Sequence, residues 1–157
     1  MKRMAVMSLL LMGIVCCLAM PVQAQSQWGI NVNYPGLGIK YGLNKKVVVE
    51  LKVQFGKDVF VIGPRFYYSL SPWGKTIVYG GVEGDYLTFE SEISKGPGFV
   101  FLGFAGLEYF VSPNVGLSVD FGPAYVNLKD KETKEKESGV DLVVNIGLTY
   151  YFKGGEK

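Results

Sequence analysis

The chain has no histidine, and its only two cysteines, Cys16 and Cys17, stand side by side near its start. Without histidine, the usual general base of serine-type hydrolysis is missing, as is the commonest metal ligand. No stretch after Ala24 is apolar for the ~20 residues that a spanning helix requires. Charge of one sign is lacking too: 16 Lys and Arg stand against 14 Asp and Glu in 157 residues, which leaves no basic footprint for nucleic acid. What the chain does have is 48% hydrophobic residues, 14% aromatics and 21 glycines. So much apolar surface without a helical span must be placed elsewhere. A closed β-barrel is the one non-helical structure that can set it against lipid.

The first residues form a separate unit. Lys2 and Arg3 make a positive start, Leu9 to Leu18 a short apolar stretch, and Val22 and Ala24 a small-residue cleavage pattern. Residues 1–24 are expected to be a cleaved signal peptide, and 25–157 the mature domain. A single membrane anchor is the competing reading, and the shortness of the apolar stretch argues against it. A lipoprotein site is disfavoured because Val15 precedes Cys16. Cleavage removes both cysteines, so the mature chain enters an oxidising space without a thiol or disulfide. It also removes Lys2 and Arg3, leaving a formal net charge of zero.

Alternation of period two runs from Trp28 to Phe152. Breaks at Asn44-Lys45, Ser71 to Gly74 and Ser112 to Asn114 have the Pro, Gly and Asn of tight turns. They alternate with breaks at Tyr34 to Gly36, Gly56 to Asp58, Ser91 to Gly98 and Lys129 to Gly139, the last a charged run expected to be a solvated loop. The pattern predicts strands near 27–33, 37–43, 46–55, 59–70, 75–90, 97–111, 114–128 and 139–152. The fold expected is all-β: an antiparallel, up-and-down transmembrane β-barrel of eight strands, with both termini at the tight-turn end. A slip of apolar phase near Tyr86 and Leu87 suggests a bulge there. Residues 97–111 are apolar on both faces except at Glu108. The first two strands fall short of the ~9–11 residues of a tilted membrane strand, so 27–43 could instead be one strand interrupted at Pro35.

Side-chain size assigns the faces. An eight-stranded barrel has room inside only for side chains. One face carries Trp28, Tyr41, Phe55, Phe60, Phe66, Tyr68, Phe121, Tyr150 and Phe152, too much bulk for that space. The other is rich in Gly, Ser and Asn with a few charges, and fits it. Lys40, Glu50, Lys52, Arg65, Glu83, Asp85, Glu108, Asp120 and Asp141 are therefore expected to point inward and pair, since an unpaired buried charge is costly. Such a network would plug the lumen; a gated ion path is the sharper alternative. Tyr41, Tyr68, Tyr109, Tyr150 and Phe152 lie near tight turns or the C-terminal strand end and are expected to form an interfacial girdle. No cofactor is implied. No loop has EF-hand spacing. The glycines at 36–38 and 80–84 lie in or beside strands without a following helix, so they are not phosphate loops.

Gly106 to Gly122 (GLEYFVSPNVGLSVDFG) resembles the hairpin of small outer-membrane barrels of the OmpA/OmpX/opacity-protein type. Arg65 to Pro72 with Val78 to Gly84 is similar to an earlier hairpin of that family, and Asn145 to Phe152 (NIGLTYYF) to its aromatic closing strand. The resemblance implies a location in the cell outer membrane, with lipid and, during biogenesis, the barrel-assembly machinery as partners. Two departures stand out: Lys153 to Lys157 extends past the terminal Phe, and the first two outer loops are very short. Enzymes of such barrels, the lipid A deacylase and palmitoyltransferase types, use a histidine that this chain lacks. The expected role is therefore a non-enzymatic, monomeric barrel for structure or surface contact. A narrow pore or carrier for a small apolar ligand is the first alternative, and a soluble periplasmic lipocalin-like binder the second.

Overall fold

The computed structural model describes residues 28–90, 95–130 and 136–152. The expected signal peptide lies outside the described residues. Eight strands follow in chain order: β1 Trp28–Asn33, β2 Gly36–Gly42, β3 Val47–Gly56, β4 Val59–Trp73, β5 Thr76–Glu90, β6 Lys95–Ser112, β7 Val115–Lys129 and β8 Lys136–Phe152. Each pairs antiparallel with the next, and β1 also pairs with β8, from Trp28 opposite Phe152 to Asn33 opposite Gly147, which closes the sheet. Within the 27–43 stretch, the described residues form two strands of a hairpin with Tyr34 and Pro35 at its tip, not one interrupted strand.

The register gives the stagger of the barrel. Register partners lead from Gly147 through Asn33, Gly36, Gln54, Val61, Leu87, Gly98 and Leu128 back to β8 at Glu137, ten residues away. A shear of this size over eight strands requires the strands to tilt by roughly 35–45°. The interior is correspondingly narrow.

Several strands run further than the turn residues suggest. β4 continues through Ser71 and Pro72 to Trp73, and the turn is made at Gly74, whose φ of 60° needs no Cβ to be avoided. Part of the charged run is strand, with Lys136 opposite Lys129 and Ser138 opposite Asn127. A ladder is a backbone structure, and exposed charged side chains do not prevent it. The phase slip near Leu87 is not a bulge. Leu87 points inward and is buried, against the bare backbone of Gly98. The register shifts lie instead at Ser69/Ser71 and Phe110/Ser112.

β6 is apolar on both faces because its inner face also packs. Leu102 and Phe104 join Tyr67, Tyr79 and Ala124 in a small core inside the barrel. Elsewhere the usual arrangement is inverted. Arg65, Glu50, Asn31 and Thr149 are the largest fully buried side chains, while Phe101, Phe121, Leu142 and Ile146 are about 60% exposed or more.

Candidate functional site

Alternation along each strand sends every second side chain into the lumen. Lys40 comes from β2, Glu50 and Lys52 from β3, Arg65 from β4, Glu83 and Asp85 from β5, Glu108 from β6 and Asp120 from β7, and all are buried. Asp141 departs from the expected set. It has inward parity on β8 but is exposed, and its Oδ1 accepts from the Leu142 amide. It stands where β8 has risen past the end of β1, with only β7 beside it among the described residues.

Arg65 and Glu83 pair between the adjacent strands β4 and β5, and the other buried charges bond across the lumen between strands that are not neighbours. Arg65 Nε lies 2.6 Å from Glu83 Oε2, and its Nη2 donates to Asp120 Oδ1 at 2.9 Å, reaching from β4 to β7. Lys52 pairs with Glu83 and, at 3.3 Å, with Asp85 Oδ2. Lys40 donates to Thr149 Oγ1 at 2.9 Å and lies 3.7 Å from Glu108 Oε1. Three cations thus face five carboxylates. Neutral donors hold much of the excess. Glu50 accepts from Asn31 at 2.8 Å, from Asn33 at 3.1 Å and from the Tyr67 hydroxyl. Both Glu108 oxygens take the Tyr151 hydroxyl, at 2.9 and 3.0 Å. Asp120 takes Asn145 at 2.9 Å and the Tyr79 hydroxyl at 3.1 Å.

Aromatic faces complete the packing. The Arg65 guanidinium sits 4.2 Å from the Phe104 centroid and 5.1 Å from that of Tyr67. Tyr67, Tyr79 and Phe104 meet edge to face. Tyr67, Tyr79, Tyr151, Asn31, Asn33, Asn145 and Thr149 are site residues that charge alone does not reveal. Parity reveals them: Tyr67 follows Arg65 by two, and Asn31 and Asn33 share the phase of the inward Gly29.

Two recesses lie at the ends of the barrel. One, at the tight-turn end, holds about 160 Å³ over Lys40, Tyr67, Tyr79, Glu108 and Tyr151. The other, about 590 Å³, lies at the opposite rim between the β3–β4 and β5–β6 tips and touches none of the plug residues. The described carboxylates of the lumen are bonded to cations, amides and phenols. Among the described residues no group of three or more Asp, Glu, His or Cys could hold a metal ion.

The five aromatics of the expected girdle all point outward. Tyr109, Tyr150 and Phe152 are close to half exposed, and Tyr41 and Tyr68 less so. Tyr41 meets Trp28 at a tilt with centroids 4.6 Å apart, Tyr150 meets Phe152 edge to face at 5.2 Å, and the Lys46 ammonium lies 5.9 Å from the Tyr68 ring.

No family model matches the chain. No curated protein sequence matches it either. Among solved structures it is similar to the crystal structure of Neisserial surface protein A (NspA), with a TM-score of 0.51 and 14% identity over 81% of this chain and 93% of that one. The N-terminal β-barrel domain of Pseudomonas aeruginosa OprF aligns with a TM-score of 0.49 and 15% identity, over 82% of this chain and 98% of that one. The first likeness is one of fold alone.

Proposed function

We propose that this chain is an integral outer-membrane β-barrel whose plugged lumen makes it a structural or surface-contact protein rather than a channel. The observation that carries this reading is the inversion of polarity. Arg65 is 1% exposed and Ile146 is 66% exposed. In water that arrangement would bury charges and leave a continuous apolar surface wet; in a bilayer it puts each group in its favoured surroundings. Lipid is then the partner of the outer face, and Tyr41, Tyr68, Tyr109, Tyr150 and Phe152 are its interfacial girdle at the tight-turn end. Export through the 1–24 leader and insertion by the barrel-assembly machinery belong to the same reading, as does a monomeric state, since the sheet closes on itself.

Extraction of the mature protein tests the proposal. It is expected to stay with the membrane fraction and to need detergent; a monomer soluble in buffer alone would overturn the membrane reading in favour of a lipocalin-like binder. Conductance in planar bilayers tests the plug. The cross-lumen bonds of Arg65 and Lys52 predict a silent membrane, and steady single-channel currents would favour the pore.

A further inference from the structure

Among the described residues the upper half of β8 has only one neighbouring strand. β1 covers it from Phe152 to Gly147 and stops at Asn33, whereas β7 accompanies it up to Lys136. The seam between β8 and β1 therefore has a step, because the rim follows one line of register partners that climbs ten residues on its way round. At the foot of the step the β1–β2 tip is sealed to β3, where the Phe55 amide donates to Pro35 O at 3.1 Å. The open edge belongs to β8.

The direction of its backbone groups follows from one residue. Tyr151 donates its amide to Asn114 O, and its carbonyl accepts from the Asn114 side chain, so both its backbone groups face β7. Antiparallel ladders alternate. Odd-numbered residues of β8 therefore bond to β7, and Ser138, Val140, Leu142 and Val144 turn N–H and C=O toward the step, where the Leu142 amide is already taken by Asp141 Oδ1 at 2.8 Å. A row of this kind is a template for another strand. Its lower part lies within the height where an unpaired backbone meets hydrocarbon, which makes pairing more favourable still.

We propose that the β8 edge from Ser138 to Val144 is a docking site for an extended segment of another polypeptide, added as a ninth strand. This gives the surface-contact role a location and rests on that reading. A second copy of this chain does not fit. Copies in one membrane are related by an axis along its normal, and strands tilted by roughly 35–45° would then cross at about 70–90° instead of laddering. The flanking side chains define the partner. Val140, Leu142 and Val144 project outward and are exposed, while Glu137 and Asp141 are exposed on the inward-parity face. The segment that fits alternates apolar residues on its outer face with basic ones on its inner face.

The test uses the protein in lipid nanodiscs and an alternating Val/Lys decapeptide, with residue-resolved amide exchange as the readout. Stable insertion and gel shift on heating are checked first, so failure of the membrane reading shows before any peptide is added. Without peptide, the amides of Ser138, Val140 and Val144 are expected to exchange at least about tenfold faster than those of Gly139, Asp141 and Val143; peptide should slow the first set selectively. Val140→Pro removes one step-facing donor and leaves the β7 ladder intact. It should weaken peptide binding about tenfold relative to Val140→Ala. Glu137→Lys, which does not alter the backbone, should weaken it several-fold. Equal protection of both sets without peptide would overturn the proposal by showing the edge already covered. So would unaltered exchange at saturating peptide, equal binding by the Pro and Ala variants, or protection that tracks protein self-association.

Discussion

Arg65 anchors the lumen because it is the one side chain that bonds to both Glu83 and Asp120 while lying on aromatic faces. Removing it leaves two buried carboxylates facing each other with less positive charge. Arg65→Met is expected to destabilise the folded barrel by about 3–5 kcal/mol, the usual cost of breaking a buried ion pair from one side. Urea unfolding in lipid vesicles, followed by tryptophan fluorescence, would measure it. Adding Asp120→Asn should restore part of the loss, and additive losses would show that the two residues do not act as a pair. Asp85 adds a finer point. Its Oδ1 is buried without a hydrogen-bond donor among the described residues, close to the Gly63 backbone. Asp85→Asn should therefore cost little, within about 1 kcal/mol, because it removes one of two excess carboxylates and leaves Lys52 its stronger partner, Glu83.

Between strands, glycine position decides how close neighbours come. A Cβ on Gly122 would run into the backbone carbonyl of Gly103, which cannot move aside, whereas one on Gly103 would meet nothing. Gly122→Ala should cost about 1–3 kcal/mol by overpacking, and Gly103→Ala should be close to neutral. Equal effects in an unfolding titration would contradict this inter-strand geometry. The outward face is tested on β8. Ile146→Arg places a charge in the apolar band and is expected to cost about 2–4 kcal/mol in a bilayer, while Asn145→Ala, which loses one bond to Asp120, should cost about 1 kcal/mol. The reverse ranking would mean that the inner and outer faces had been exchanged.

At the scale of the whole molecule, ring closure through Trp28–Asn33 and β8 leaves no strand from which unfolding can start at low cost. The protein should migrate differently on SDS gels before and after boiling; identical mobility would count against a closed barrel. The eight strands and their order were legible in the sequence because alternation and turn residues are local properties, and the strand count needs nothing else. The inward charges were legible because parity along a strand is local too, and the small size of their neighbours showed which face was inner. Asp141 shows where this stops: its parity is inward, but whether a wall faces it depends on the length of β1, on the far side of the ring closure. Tyr67, Tyr79 and Tyr151 show the same limit from the other side. Bulk alone places aromatics outside, yet these three lie inside, where a carboxylate receives each hydroxyl. Sequence by itself determined strands, faces and the absence of histidine chemistry, all of which follow from neighbours along the chain. Tertiary structure alone decided which carboxylate each cation meets, and how far the rim climbs before the sheet closes. Both depend on the register between strands, and register is set only when distant parts of the chain pack together.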